Sequence, residues 1–387
     1  MYDLLIKGGR VIDPAQNING VLDVAISGQR VALVAKGISA TEGKQVIDAK
    51  GKIVTPGLID MHCHIYDGVH NISIEPDVAG VKQGVTTVAD GGSTGQLTFK
   101  AFLKYIIPPS KSTVFCFLHL CSIGQILTPE LSDWKEIDLD ATKAVVNSNR
   151  EIIKGIKLRL VGKIVANDGP KVIKITRELA RSLGLPMMVH IGDPAELVPP
   201  EMTQELLRVM DVGDILTHVF TSRKGGILRP DGTVLPELRE AMDRGIVTEV
   251  AHGRNNFSFD IARKSLDQGI LPTVLSTDIN TLCLNGPVFG LAAVMSKFIA
   301  LGLSLDEVIK MSTINPARAL SIDNRVGSLQ SGMDADVSIL ELLSGKWELE
   351  DSIGQTMLAT SLLTPRMAIK SGLVIPSAPV AWPQPVI

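Results

Sequence analysis

The central part of the chain alternates between short apolar runs and amphipathic stretches. The apolar runs contain few polar residues, as strands buried on both faces do, and segments with helical spacing lie between them at 171–183, 201–210 and 259–268. Eight such strand–helix units predict an α/β fold with a (β/α)₈ barrel. The predicted strands are residues 53–61, 84–90, 113–120, 155–160, 186–190, 214–219, 245–252 and 271–278.

The two ends of the chain have a different pattern. Residues 1–52 read as short strands separated by turns, without a helical period, and the same texture returns at 335–340 and 367–374. We therefore expect both ends to meet in one small β-sandwich domain. Its predicted boundaries are residues 1–52 plus 326–387, and the barrel domain takes residues 53–325.

Composition narrows the class of protein. The 387 residues are 45% hydrophobic and 20% charged, which suits a large buried core. The net charge of −3 comes from interspersed signs without a basic stripe, so we expect neither nucleic acid nor a membrane surface as a partner. No signal peptide and no bilayer-length apolar run is visible, which predicts a cytoplasmic protein. The four scattered cysteines suit reduced thiols.

Histidines and one aspartate mark the strand ends. His62 and His64 are two residues apart at the end of the first strand, so both rings lie on the same face and can reach one metal ion. A lone pair of this kind is a weak signal. However, four further polar residues end other strands, on the face where such barrels place active sites: His190, His218, His252 and Asp278. Their convergence predicts a metal centre for Zn²⁺, Mn²⁺ or a similar ion.

Several motifs together resemble the amidohydrolase superfamily of binuclear metal hydrolases, over nearly the whole chain. They are PGLIDMHCH on the first strand, a lysine on the fourth, single histidines on the fifth and sixth, STD on the eighth, and NPARAL followed by GSLQSGMDADVSIL. The resemblance implies two divalent ions, zinc first and manganese as an alternative. It assigns His62 and His64 to the more buried ion, and His190 and His218 to the more exposed one. A carboxylated lysine would bridge the two ions, and Asp278 would bind the first ion and act as general base.

Two lysines lie near the fourth strand, and only one can carry the carbamate. Lys154 precedes Gly155 at the entry end of the strand, whereas Lys157 lies inside the strand and shares its face with Arg159. Carbamate formation needs a neutral amine, which a lysine shielded from water between cations provides. We therefore predict N6-carboxylysine at Lys157, formed from CO₂, and a solvated charge at Lys154.

The resemblance implies hydrolysis of an amide or ester by activated water, and no Gly-x-Ser-x-Gly motif suggests a covalent acyl-enzyme. GIKLRL, VAHGRNNFSFD and LPTVLSTDINT look like the branch often labelled dihydroorotase or adenine deaminase, for which we predict deacetylation of an N-acyl amino acid or an acetylated hydroxy acid. Dihydroorotases carry an arginine where this chain has Tyr66. The alternatives are a cyclic-amide hydrolase of dihydroorotase type, a purine aminohydrolase and a catalytically inactive barrel.

The remaining polar residues suggest a small-molecule substrate that carries a carboxylate. Arg159 could bind this carboxylate in bidentate geometry or pair with a carboxylate of the protein. Tyr66 is a candidate donor to the oxyanion, and His252 a candidate contact of the substrate or leaving group. Arg254 is a less favoured candidate for binding the carboxylate, His119 is expected to have a structural role, and residues 222–236 could form a lid over the site. A homo-oligomer is compatible with this sequence.

Overall fold

The structure is a computed structural model and describes residues 1–386. Ile387, the last residue of the predicted terminal domain, lies outside the described residues. Strands follow along the chain as β1 (Tyr2–Asp13), β2 (Ile18–Ser27), β3 (Arg30–Ala35), β4 (Gly43–Asp48), β5 (Ile53–Pro56), β6 (Leu58–Cys63), β7 (Val85–Asp90), β8 (Thr113–His119), β9 (Ile153–Arg159), β10 (Met187–His190), β11 (Ile215–Thr217), β12 (Val247–Glu249), β13 (Val337–Glu350), β14 (Thr356–Lys370) and β15 (Leu373–Pro376).

The helices lie mainly between the strands of the middle region. They are α1 (Pro76–Ala79), α2 (Phe99–Ala101), α3 (Leu139–Ser148), α4 (Gly162–Leu183), α5 (Met202–Val209), α6 (Pro236–Asp243), α7 (Phe259–Asp267), α8 (Leu291–Ala300), α9 (Leu305–Lys310) and α10 (Ile314–Ala319). The three helices expected from periodicity correspond to α4, α5 and α7. Helix α4 begins earlier than expected and is bent at Asp168, two residues before Pro170. Over residues 1–386, no helix is long and apolar enough to cross a membrane.

Strands β6 to β12 form a parallel sheet in chain order, and the segment after them closes the barrel. Val274 pairs with Glu249 of β12, and Ile279 pairs with Cys63 of β6. This segment is the predicted eighth strand, although it consists of isolated bridges rather than a regular strand. The barrel prediction is thus confirmed, and the carboxyl ends of all eight strands meet on one face.

The chain ends build a second sheet of eight strands. Its order is β15–β14–β13–β5–β1–β2–β3, and β4 also pairs with β1. Hydrogen bonds join these strands into one sheet, so a division into the two layers of a sandwich stays a prediction. Its buried side chains form a separate hydrophobic cluster that includes Leu4, Val24, Val54 and Ile339.

The boundary between the two sheets lies later than the sequence suggested. The first barrel strand was expected from Ile53, but Ile53–Pro56 pairs with β1 and β13 of the terminal sheet. Only Leu58–Cys63 belongs to the barrel. The reason is the Pro-Gly break: a Cβ on Gly57 would lie 2.2 Å from Oγ1 of Thr86, so only glycine lets the chain pass this close to β7.

The long hairpin of β13 and β14 connects the two parts of the molecule. The part of the hairpin far from its turn belongs to the terminal sheet. Nearer the turn, Trp347, Leu349 and Leu362 are buried in the barrel's hydrophobic cluster. The backbone N–H of Leu363 also donates to Oγ of Ser296 on α8 over 2.9 Å. The end of this hairpin therefore lies against the barrel.

Candidate metal centre

One cavity of about 370 Å³ lies at the carboxyl ends of the barrel strands. All six side chains of the predicted metal site line this cavity: His62, His64, Lys157, His190, His218 and Asp278. These residues come from five strands or strand ends that are far apart in the chain, so the closed barrel brings them together.

Hydrogen bonds fix the rings of His62 and His64. Nδ1 of His62 lies 3.1 Å from Oε2 of Glu249, and its Nε2 lies 3.8 Å from Oδ1 of Asp278. In His64, Nδ1 lies 2.7 Å from Oγ of Ser93, and Nε2 lies 3.1 Å from the same oxygen of Asp278. Because protein groups engage both Nδ1 atoms, the two Nε2 atoms are directed at Asp278.

His190 and His218 form the other side of the centre. Their ring centroids are 4.3 Å apart, and Nδ1 of His218 donates to the carbonyl of Ala251 over 2.8 Å. His218, Ala251 and Asp278 all have positive φ, at 67°, 42° and 51°. Such angles are uncommon for residues other than glycine and tend to occur at functional sites.

The donor set fits a divalent ion. The ligand atoms of His62, His64 and Asp278 all lie within 4.8 Å of one another. Nε2 of His190 and Oδ1 of Asp278 are buried without a hydrogen-bond partner in the protein, which is unfavourable unless another group binds them. Burial also lowers the pKa of His62, His190 and His218, so these imidazoles are neutral, as metal ligands must be.

The aspartate remains ionised in this environment. Burial alone would raise the pKa of Asp278, but the imidazole of His64, whose Nε2 lies 3.1 Å from Oδ1, outweighs burial and holds the pKa below its ordinary value. Nδ2 of Asn256 donates to its Oδ2 over 3.2 Å. Asp278 thus offers an anionic oxygen to the cavity.

Lys157 lies at the centre of this set. Its side chain is buried, and Nζ lies 3.3 Å from Nε2 of His62. Burial lowers the pKa of this amine to about 8. Two glycines after β7 make room for the set: a Cβ on Gly91 would lie 2.2 Å from the ring of His62, and one on Gly92 would lie 2.5 Å from Cγ of Lys157.

The other lysine lies elsewhere. Nζ of Lys154 lies 4.7 Å from the ring centroid of Phe115, and Lys154 does not line the cavity. Because the two lysines are three positions apart on one strand, they occupy opposite faces as well as different heights. The expectation of a solvated Lys154 needs one adjustment, since its side chain is partly covered by this ring.

Arg159 lines the cavity and also pairs with a carboxylate of the protein. Its Nη1 donates to both oxygens of Glu130, over 2.9 and 3.1 Å. Oε1 of Glu130 also lies 3.5 Å from Nε2 of His119, whose structural role stays a prediction. Burial would raise the pKa of Glu130, but Arg159 and His119 lower it to about 2.

Two residues predicted to contact substrate do not line the cavity. The hydroxyl of Tyr66 donates to the carbonyl of Thr98 over 2.7 Å, and the residue does not line the cavity. His252 is fully buried, with Nε2 2.6 Å from Nζ of Lys297 and Nδ1 2.9 Å from the carbonyl of Gly253. The polar atoms of both side chains already have partners inside the protein, so the structure gives no support to a substrate contact by either residue.

Other cavity residues escaped sequence reasoning. His70 lines the cavity, with Nδ1 2.9 Å from Oγ of Ser73 and its ring centroid 5.3 Å from that of His64. Its position six residues after the metal-binding pair, in a loop on the same rim, was an available signal. Glu249, which contacts His62 without lining the cavity, could also have been noticed as a carboxylate inside a buried strand. Arg254 lines the cavity, whereas residues 222–236 do not.

Comparisons with known proteins agree with this fold and site. The model of the amidohydrolase family matches residues 53–374. A protein named deacetylase from Agrobacterium fabrum (strain C58) is 35% identical over 351 residues, covering 90% of this chain and 85% of the relative. A crystal structure described as an adenine deaminase has a TM-score of 0.89 at 30% identity, covering 97% of this chain and 100% of the other. One described as a dihydroorotase has a TM-score of 0.87 at 32% identity, covering 97% and 98%.

These matches, together with the barrel and its histidine-rich cavity, define the class of protein. The chain belongs to the amidohydrolase family. It is accordingly a hydrolase that acts on C–N bonds, and such enzymes act on small molecules.

Proposed function

We propose that this enzyme is a binuclear metal-dependent deacetylase that acts on an N-acyl amino acid or an acetylated hydroxy acid. The observation that carries the proposal is the shared cavity, which four histidines, Asp278 and Lys157 line together. The relatives named deacetylase, at 35% and 36% identity, support the reaction. We expect the enzyme to work in the cytoplasm.

Two divalent ions, zinc first and manganese second, are proposed for this site. His62, His64 and Asp278 would hold one ion, and His190 and His218 the other. Lys157, carboxylated by CO₂, would bind both, and its pKa of about 8 leaves part of the amine neutral for that reaction. Ions held in this way would supply Lewis-acid chemistry, which polarises a carbonyl oxygen and lowers the pKa of water.

The chain's own residues perform the proton transfers. Asp278 is ionised and would accept a proton from the attacking water and donate it to the leaving nitrogen or oxygen. The hydrogen bond from Asn256 to Oδ2 orients this carboxylate, so that Oδ1 faces His64. One side chain would therefore serve as both ligand and general base.

The opposite wall would bind the substrate's carboxylate. Within residues 1–386, the hydrogen bonds that Arg159 makes to protein come from Nη1, which leaves Nη2 for the ligand. His70 lines the same cavity, with its ring centroid 5.3 Å from that of His64, and Ser73 engages its Nδ1, so Nε2 would be its contact to substrate. Ile72, Val161 and Leu282 line the same cavity and suit an apolar side chain.

Hydrolysis of a cyclic amide, as in dihydroorotases, is the second candidate. The structural match to a protein described as a dihydroorotase favours it. Against it, Tyr66 stands where dihydroorotases carry an arginine, and its hydroxyl is bound to Thr98. A purine aminohydrolase is the third candidate, suggested by the match to a protein described as an adenine deaminase.

A rate screen of the zinc-loaded enzyme tests these candidates. The panel contains N-acetyl-amino acids of both hands, acetylated hydroxy acids, dihydroorotate and adenine. We expect turnover of an acetylated carboxylic acid, loss of that turnover when its carboxylate is converted to an amide, and a metal content approaching two ions per chain. Turnover of dihydroorotate or adenine alone would replace the deacetylase proposal, and full activity without bound metal would refute the metal mechanism.

A further inference from the structure

The tip of the β13–β14 hairpin, residues 351–355, contacts a loop that carries part of the cavity wall. This strand-seven loop, residues 252–258, follows β12 and contributes Arg254, Asn255 and Asn256 to the cavity. Asn256 is the residue that donates to Oδ2 of Asp278. The two strands that carry this tip extend from the terminal sheet, so this contact joins the small sheet to the candidate general base.

The contact consists mainly of hydrogen bonds to buried backbone groups. Oγ of Ser352 lies 2.9 Å from the carbonyl of Gly253 and 3.2 Å from that of His252. The same oxygen accepts from the N–H of Phe257 over 3.2 Å, and the N–H of Ser352 donates to the carbonyl of Phe257 over 3.0 Å. Without the tip, the carbonyl of His252 and both backbone groups of Phe257 would lose these partners, and buried backbone groups without a partner are rare in native structures.

Two buried charged residues reinforce the contact. Asp351 accepts from the N–H of Phe259, just after the loop, over 2.9 Å. Lys297 of α8 donates to the carbonyl of Glu350 over 2.7 Å and contacts Nε2 of His252 over 2.6 Å. Its third bond, to the carbonyl of Pro287, accounts for the third N–H of the ammonium group. The start of the tip and the start of the loop are therefore held by one side chain.

The loop also lies very close to Asp278 itself. Gly253 has φ of 57°, its N–H donates to the carbonyl of Thr277 over 2.8 Å, and a Cβ at this position would lie 2.3 Å from Oδ2 of Asp278. A small displacement of the loop would therefore move both the backbone beside Asp278 and the amide of Asn256.

We infer that the hairpin tip is a positioning element for Asp278. Ser352 and Asp351 hold the strand-seven loop, and Asn256 of that loop orients the Asp278 carboxylate. Ser352, Asp351 and Asn256 are thus positioning residues that act through Asp278, and the terminal sheet contributes to the site without lining the cavity. The inference rests on the proposed function only where it treats Asp278 as a metal ligand.

A double-mutant cycle in zinc affinity tests this inference. Zinc retention is measured by competition with a chelator for the wild type, Ser352→Ala, Asn256→Ala and the double variant. We expect each single change to weaken retention by about 10-fold, within the 10- to 100-fold range for groups that orient metal ligands. The double variant should be no weaker than the worse single variant, because both changes interrupt one pathway. Fully additive losses, or no loss in Ser352→Ala, would overturn the inference.

Matched variants separate positioning from a general loss of structure. Ser344→Ala makes the same change at an exposed position of the same hairpin and should retain zinc like the wild type. Ser352→Thr keeps the hydroxyl and should restore most of the affinity. If Ser352→Ala does not fold, Asp351→Asn takes its place in the cycle, under the same criteria.

Hydrogen–deuterium exchange supplies a readout that does not depend on metal or substrate. The amide of Phe257 should exchange faster in Ser352→Ala than in Ser344→Ala and the wild type, because its hydrogen bond to Oγ of Ser352 is lost, and neighbouring amides of residues 252–258 should follow as the loop loosens. Unchanged exchange in this loop would overturn the inference. A wild type that binds no zinc would instead refute the proposed metal site, while the exchange experiment would still test the contact.

Discussion

The floor and the wall of the cavity are built in different ways. The floor consists of His62, Lys157 and Asp278, which lie on barrel strands or on the segment that closes the barrel. The wall depends on loops, as with Glu130, which pairs with Arg159, and His70. A strand's pleat sets the direction of its side chains, whereas a loop's side chains are directed by contacts with distant segments. We therefore expect substitutions in the floor to have larger effects than substitutions in the wall.

The largest effect is expected from Lys157→Ala, which removes the proposed bridge between the two ions. Zinc content should fall well below two ions per chain, and turnover should fall to background, because no anionic group remains between the ions. Short carboxylic acids should partly restore both by placing an oxygen bridge in the vacated space. Metal analysis and rates with and without added acetate measure the outcome.

Lys154→Ala is the matched control, on the same strand but beside Phe115. It should keep its metal and its activity. Rescue by acetate in Lys154→Ala and not in Lys157→Ala would mean that the register of β9 is wrong, and the position of Arg159 would then be wrong as well.

Asp278→Asn should have the second largest effect. The amide keeps the shape of the side chain and one oxygen that can bind metal, but it cannot accept a proton. Turnover should therefore fall by roughly 10²–10⁴-fold, the usual contribution of a general base, while most of the zinc remains. Single-turnover rates and metal content are measured on the same preparation. Turnover close to the wild type would remove Asp278 from the proton transfer.

The floor could be predicted from sequence because two regularities determine it. Residues two apart on a strand share a face, which places His62 with His64, and parallel strands end on one rim, which places His190 with Asp278. The sequence could not show that His252 turns toward Lys297, since that contact depends on a helix 45 residues later. The closing strand was predicted as a regular element, whereas the structure has only isolated bridges at Val274 and Ile279, and Asp278 between them has positive φ.

Contacts made around the cavity were less predictable, because they also join segments that are far apart in the chain. Tyr66 lies two residues after His64, and the partner of its hydroxyl is the carbonyl of Thr98, on a different loop. Likewise, Ser352 reaches the strand-seven loop from the terminal sheet, about 100 residues away. Such contacts depend on how separate elements pack, and no local spacing encodes them.

An intermediate effect is expected when the charged pair of the wall is removed. Changing Arg159 alone would leave Glu130 buried and unpaired, which destabilises proteins by about 3–5 kcal/mol. The double variant Arg159→Gln with Glu130→Gln removes both charges. KM for an acetylated carboxylic acid should rise about 10- to 100-fold, as expected for lost charge-assisted hydrogen bonds worth about 1.5–3 kcal/mol, with a smaller change in kcat. An equal rise for the amide-capped substrate would show that Arg159 does not bind the carboxylate.

The smallest effect on catalysis is expected from Tyr66→Phe, because Tyr66 is close in sequence to the floor residues but does not line the cavity. Tyr66 follows the metal-binding pair directly, but its hydroxyl donates to Thr98 and does not line the cavity. Its removal should leave kcat and KM unchanged and lower the free energy of unfolding by about 0.5–1.5 kcal/mol, because one buried hydrogen bond is lost. Tyr105→Phe, at an exposed tyrosine, should change neither quantity. Denaturant unfolding and steady-state rates of both variants are compared with the wild type. A large fall in kcat with unchanged stability would show that Tyr66 turns toward the substrate during the reaction. Tyr66 would then belong to the cavity wall.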